Sequence, residues 1–195
     1  RSHRVLQPLN GLIMTIGAGT LVSKRQEDLR EEAVELRKRI DETFRQLEVD
    51  FPVYLLVTQC DTIEGFTEFF SCFPEHTLEH VLGYMHAPAG QVDTRQSPAA
   101  SLDFASITDS LVERLKQLRL SILNEDKLPS STLRQQIFCF PEEFQALQGP
   151  LQTFVDTLLA EYRQYIPRFR GIFFSSAQQQ GPRYSFLRRQ FHLNG

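Results

Sequence analysis

Apolar positions along the chain fall into two rhythms. Short unbroken runs, rich in branched and aromatic residues, occur at 9–16, Pro52–Thr58, 136–140 and 171–175 and read as strands. Between them lie stretches with apolar residues three and four positions apart, the spacing of a helix with one buried face. Residues 27–47 carry Leu29, Ala33, Leu36, Ile40, Phe44 and Leu47 in such a stripe, with Glu, Arg and Lys opposite. A short helix is expected over 63–72 and a longer one over 107–123. The last, over 142–165, is expected to break or kink at Gly149-Pro150. Residues 87–101, with Pro88, Gly90 and Pro98, read as a long loop or insertion.

Strands alternating with helices predict an α/β fold, a parallel sheet with right-handed crossover helices. Four strands joined by three crossovers make a small sheet, and such a sheet leaves an unpaired edge. The expectation is that further strands lie upstream. The start at Arg1, without Met, likewise reads as a fragment or a processed piece. Residues 1–183 are taken as one partial domain and 184–195 as a basic C-terminal tail.

Composition changes this picture little. Of 195 residues, 41% are apolar and 23% charged, as in ordinary globular proteins; the sixteen Phe point to core packing. Charge is more informative. Every acidic residue lies at or before Glu161, whereas residues 162–195 carry six Arg and no acid. That segment is either a solvated chain end or a basic surface for an acidic partner or membrane. Cys60, Cys72 and Cys139 show no Cys-x-x-Cys spacing, which fits a reducing compartment better than a disulfide frame or zinc site. No run is long enough to span a membrane.

Several motifs fail on inspection. Gly17-Ala18-Gly19 follows a strand, but Val22 stands where a dinucleotide fingerprint needs Gly, and Ser23-Lys24-Arg25 is not Gly-Lys-Ser/Thr. A tight turn is the better reading. His76-Thr77-Leu78-Glu79-His80 fits a zinc-peptidase pattern without a third ligand, and a surface histidine pair accounts for it. No Gly-x-Ser-x-Gly elbow gives a serine a nucleophilic setting. No catalytic residue and no metal ligand is therefore assigned.

Two strand ends remain. Thr58-Gln59-Cys60-Asp61 closes the second strand and Ser175-Ser176-Ala177 the fourth. Ligands of open α/β sheets bind at the carboxyl edge. A carboxylate such as Asp61 can accept two N–H donors from a guanine, a pair adenine lacks, and backbone N–H groups near Ser176 and Ala177 can meet the base carbonyl. The competing reading makes Asp61 and Ser176 caps of local turns.

The residues around these strand ends resemble the cytoplasmic domain of the TssM/IcmF family of bacterial type VI secretion. The resemblance runs through Pro8-Leu9-Asn10-Gly11, Leu36-Arg37-Lys38-Arg39-Ile40-Asp41-Glu42, the block from Pro52 to Phe70, Phe140-Pro141-Glu142-Glu143-Phe144 and the stretch from Arg170 to Gly181. It implies the distal part of a P-loop GTPase-like domain, with the P-loop and the magnesium-binding aspartate upstream. The nucleotide-base site would be Thr58, Asp61, Ser175, Ser176 and Ala177, and the ligand GTP or ATP with magnesium. It also implies an assembly component on the cytoplasmic face of the inner membrane, anchored through segments outside this chain. The implied partners are a TssL-like inner-membrane protein, a TssJ-like outer-membrane lipoprotein and baseplate components, with no nucleic acid. The family pattern at the second strand is Thr-Lys-x-Asp; here Gln59 replaces the Lys whose stem would lie across the base. Hydrolysis by this chain alone is not expected, because phosphoryl transfer needs the phosphate cradle and the magnesium site. The alternatives are a working switch NTPase completed upstream, and a basic-tailed domain that binds membrane or nucleic acid.

Overall fold

The computed structural model describes residues 10–47, 52–74, 81–85, 104–124, 130–160, 168–176 and 184–185. In chain order the described elements are β1 (Leu12–Gly17), α1 (Ala18–Ser23), α2 (Gln26–Leu47), β2 (Pro52–Thr58), a 3₁₀ turn (Cys60–Thr62), α3 (Phe66–Phe70), β3 (Leu82–Met85), α4 (Phe104–Leu123), α5 (Ser131–Gln145), α6 (Gln148–Leu159) and β4 (Arg168–Phe174). The strands form one sheet in the order β1-β2-β4-β3. The first three are parallel and β3 joins β4 antiparallel, so the α/β expectation holds with one antiparallel edge.

β2 is an inner strand, flanked by β1 and β4. Val53, Leu55 and Val57 are fully buried on one face, and Tyr54, Leu56 and Thr58 are half-buried on the other. That burial on both faces explains its near-continuous apolar sequence. α2 lays Leu29, Ala33, Ile40 and Phe44 into the core beside Leu151, Phe154 and Leu158 of α6. An aromatic group built from Phe66, Phe69, Phe70 and Phe140 joins α3 to α5, with Phe69 and Phe140 centroids 4.8 Å apart. Phe144 carries this packing onto the sheet, 4.8 Å from Phe174.

Three expectations are corrected. Residues 136–140 are not a strand; they lie inside α5. Their apolar run was too short to separate the two periods, whereas Ile137, Phe140 and Phe144 are buried at three- and four-residue spacing. Ser130 starts that helix, its hydroxyl accepting the Leu133 N–H at 3.1 Å. Pro141 falls within it, so a proline did not mark its end. The expected helix over 142–165 is two: α5 ends at Gln145, and α6 begins at Gln148. The break is at Ala146-Leu147, and Gly149-Pro150 sits in the first turn of α6, where a proline lacks no intrahelical partner. The fourth strand of the sheet is β3, only four residues long. The 87–101 loop, the His76–His80 motif and most of the basic tail lie outside the described residues.

Candidate functional site

Because β1, β2 and β4 run parallel, their carboxyl ends, Gly17, Thr58 and Phe174, share one edge of the sheet. β2 stops because Gln59 adopts φ 59° and ψ 35°, a left-handed conformation that turns the chain out of the strand. The Gln59 carbonyl then accepts both the Thr62 N–H at 3.1 Å and the Thr62 hydroxyl at 2.7 Å, which closes the 3₁₀ turn. Asp61 is the middle residue of that turn and is half-buried. The Thr58 hydroxyl donates to the Ile16 carbonyl at 3.4 Å and ties β2 to β1 at the edge.

The two strand-end loops meet. The Ser175 N–H donates to the Val57 carbonyl at 2.8 Å, and the Cys60 N–H donates to the Ser175 carbonyl at 3.1 Å. Thr58, Asp61, Ser175 and Ser176 therefore lie on one shared hydrogen-bonded frame; Ala177 is outside the described residues. Ser175 is exposed and Ser176 half-buried. The helix after Asp61, α3, begins from Gly65 with no side-chain cap. Cys60 lies beneath this frame. Burial pushes its thiol up to about 12; the hydrogen bond with the Ser175 backbone opposes the shift and the nearby Asp61 charge adds to it. It is an inert packing group.

The glycines after β1 serve close approach. A Cβ on Gly17 would lie 2.8 Å from Gln59 Oε1, so the Gln59 amide rests against the end of β1. A Cβ on Gly19 would lie 2.9 Å from the Tyr184 ring. α1 starts directly at Ala18, so the expected turn is in fact a strand running into a six-residue helix.

The sequence reading missed the residues that close this edge. Tyr184 donates its N–H to the Thr62 carbonyl at 2.6 Å and accepts the Glu64 N–H at 2.9 Å, pairing beside Ile63. The next residue, Ser185, donates its hydroxyl to the carboxylate of Glu143 on α5. Glu143 is buried. One signal was available: Glu143 stands three residues from Phe140 and beside Phe144, on the apolar stripe of its helix, where an acid needs a partner. Among the described residues no cluster of His, Cys, Asp or Glu could hold a metal ion, and no helix is long and apolar enough to cross a membrane.

Comparison with known proteins adds two findings. The IcmF-related N-terminal domain family matches residues 1–194. Type VI secretion system component TssM1 of Pseudomonas aeruginosa (strain PAO1) is 29% identical over 189 residues, covering 93% of this chain and 16% of TssM1. The chain therefore spans less than a fifth of that relative's length. No solved structure matches the chain.

Proposed function

The chain belongs to the IcmF-related N-terminal domain family, and from that premise we propose that it is an assembly module of a type VI secretion membrane complex. The observation that carries this reading is the similarity to TssM1 over nearly the whole chain. In it, the module faces the cytoplasm and meets a TssL-like inner-membrane protein and baseplate components. The rest of the full-length protein supplies the membrane anchor and reaches a TssJ-like lipoprotein.

In the same proposal the fold is the distal part of a GTPase-like sheet, and its carboxyl edge is a base site used for regulation. The hydrogen bond between the Cys60 N–H and the Ser175 carbonyl supports it, since a base recognised by both loops needs them held together. Asp61 would accept the paired N–H donors of a guanine, with Thr58 fixing the strand end and Ser175, Ser176 and Ala177 offering backbone donors. Gln59 would leave the base face without a lysine stem, which weakens the selection of guanine over other bases. GTP or ATP with magnesium would need a phosphate cradle supplied by other polypeptide.

The second reading is a working switch NTPase completed by an upstream P-loop, favoured by the same pinned loops. Turnover separates the two. The full-length protein should release no phosphate from GTP above background. A clear GTPase rate abolished by Asp61→Asn would make the enzyme reading the correct one.

A further inference from the structure

We propose that Tyr184, Ser185 and Glu143 form a latch that positions the carboxyl edge, so that both strand-end loops are ordered only while residues 184–185 are docked. Tyr184 touches the continuation of all three parallel strands. Its ring lies against Gly19 in α1, the helix that follows β1 directly; a Cβ on Gly19 would meet the ring at 2.9 Å. Its backbone bonds to Thr62 and Glu64, on either side of Ile63, just after β2. Its own chain leads back to Ser175, which follows β4. The turn that carries Asp61 is therefore gripped twice by one segment, at Cys60 by the Ser175 carbonyl and at Thr62 by the Tyr184 N–H. Ser176 and Ala177 lie between the two grips in the sequence.

Ser185 fastens the latch to the body of the fold. Its hydroxyl donates to the carboxylate of Glu143, which sits on α5 between buried Phe140 and Phe144. α5 is a firm platform there, because Phe140 packs on Phe69 of α3 and Phe144 on Phe174 of β4. An apolar residue at 143 would extend the buried stripe without the cost of taking a carboxylate out of water. The acid instead selects a hydroxyl at 185, a directional contact that an apolar stripe does not give. Undocking releases Thr62 and Glu64 from Tyr184 and loosens the turn on which Cys60 meets Ser175. The position of the polypeptide that follows Ser185 is thus coupled to the order of Asp61, and by reciprocity a ligand at Asp61 favours docking. The inference rests on the base-site reading only for that ligand; the latch itself rests on the contacts.

The test is local opening in the full-length protein, followed by hydrogen exchange and by thiol labelling read peptide by peptide. The Glu64 amide reports the Tyr184 grip directly. Cys60, buried beneath the frame, reports the other loop, with exposed Cys72 as the labelling standard. Amides of α2 report global unfolding. In Ser185→Ala, exchange at Glu64 and labelling of Cys60 should both rise at least about tenfold over the parent, the scale of a lost hydrogen bond to a buried carboxylate, with α2 unchanged. Unchanged rates, a rise at Glu64 alone or an equal rise in α2 would overturn the proposal, since the contact would then be idle, merely local or a support of the whole fold. GTP with magnesium, titrated into the same two proteins, separates this result from the base reading. If the parent binds no GTP, the base reading fails and the two rates alone decide the latch. If it binds, Ser185→Ala should bind about tenfold more weakly, and equal affinity would overturn the positioning role.

Discussion

Gly65 sits at φ 84°, and a Cβ there would lie 2.5 Å from the Gln136 carbonyl oxygen. No side chain fits both constraints. Gly65→Ala should lower stability by about 2 kcal/mol or more, seen as a fall in the denaturant midpoint at unchanged slope. The aromatic contacts between α3 and α5 should loosen with it, because Gly65 begins α3 directly against α5. Cys60 makes a different prediction. Its folded pKa, about 12, lies above that of a free thiol, so its stabilising contribution is complete below the ordinary thiol value and is lost as pH rises toward 12. Over that window stability should fall more steeply in the parent than in Cys60→Ala, by up to about 1.4 kcal/mol per pH unit. At pH 8 a thiol reagent should modify exposed Cys72 and leave Cys60 intact until the chain unfolds. At this scale the sequence disclosed the strand ends, because an apolar run stopping at Thr58 marks where a strand leaves the core. It did not disclose the left-handed turn at Gln59, an uncommon conformation for a residue with a side chain. Nor did it disclose that Tyr184 pairs beside Ile63, a contact between distant segments that no local pattern encodes.

Between elements, the joint that holds α2 to α6 is polar. Arg37 is buried, pairs with buried Asp41 at 2.9 Å and donates from Nη1 to the Leu158 carbonyl at 2.6 Å. Removing one member leaves a buried charge behind. Arg37→Ala should therefore cost about 3–5 kcal/mol, and the double substitution Arg37→Met with Asp41→Leu should recover much of that loss. A double-mutant cycle by chemical denaturation checks both values. α2 was legible from its sequence because its apolar stripe runs from Leu29 to Leu47, along most of a twenty-two-residue helix. Its polar joint was not, since Arg37 and Asp41 read as part of a charged surface until α6 is placed over them. α5 was misread at 136–140 for the opposite reason: a short apolar run carries no period, and only its partners, Phe69 on α3 and Phe174 on β4, select the helix. β3 was missed because four residues with a glycine carry little strand signal; pairing with β4 makes them a strand.

At the scale of the molecule, three parallel strands bring two loops to one edge of the sheet. The parallel α/β class followed from alternating strands and helices, and the meeting of the two loops from their order. The antiparallel edge and the closing contact from Tyr184 to Ser185 depend on distant pairing and did not. Family membership, together with likeness to a component of a secretion machine, makes assembly rather than chemistry the proposed purpose of this shape. The most direct test is secretion of a type VI substrate by cells whose full-length protein lacks residues 10–185. Membrane fractionation and immunoblotting would verify that the shortened protein is still made and anchored. The account predicts loss of secretion with the anchored protein present; secretion at the level of the intact protein would contradict it.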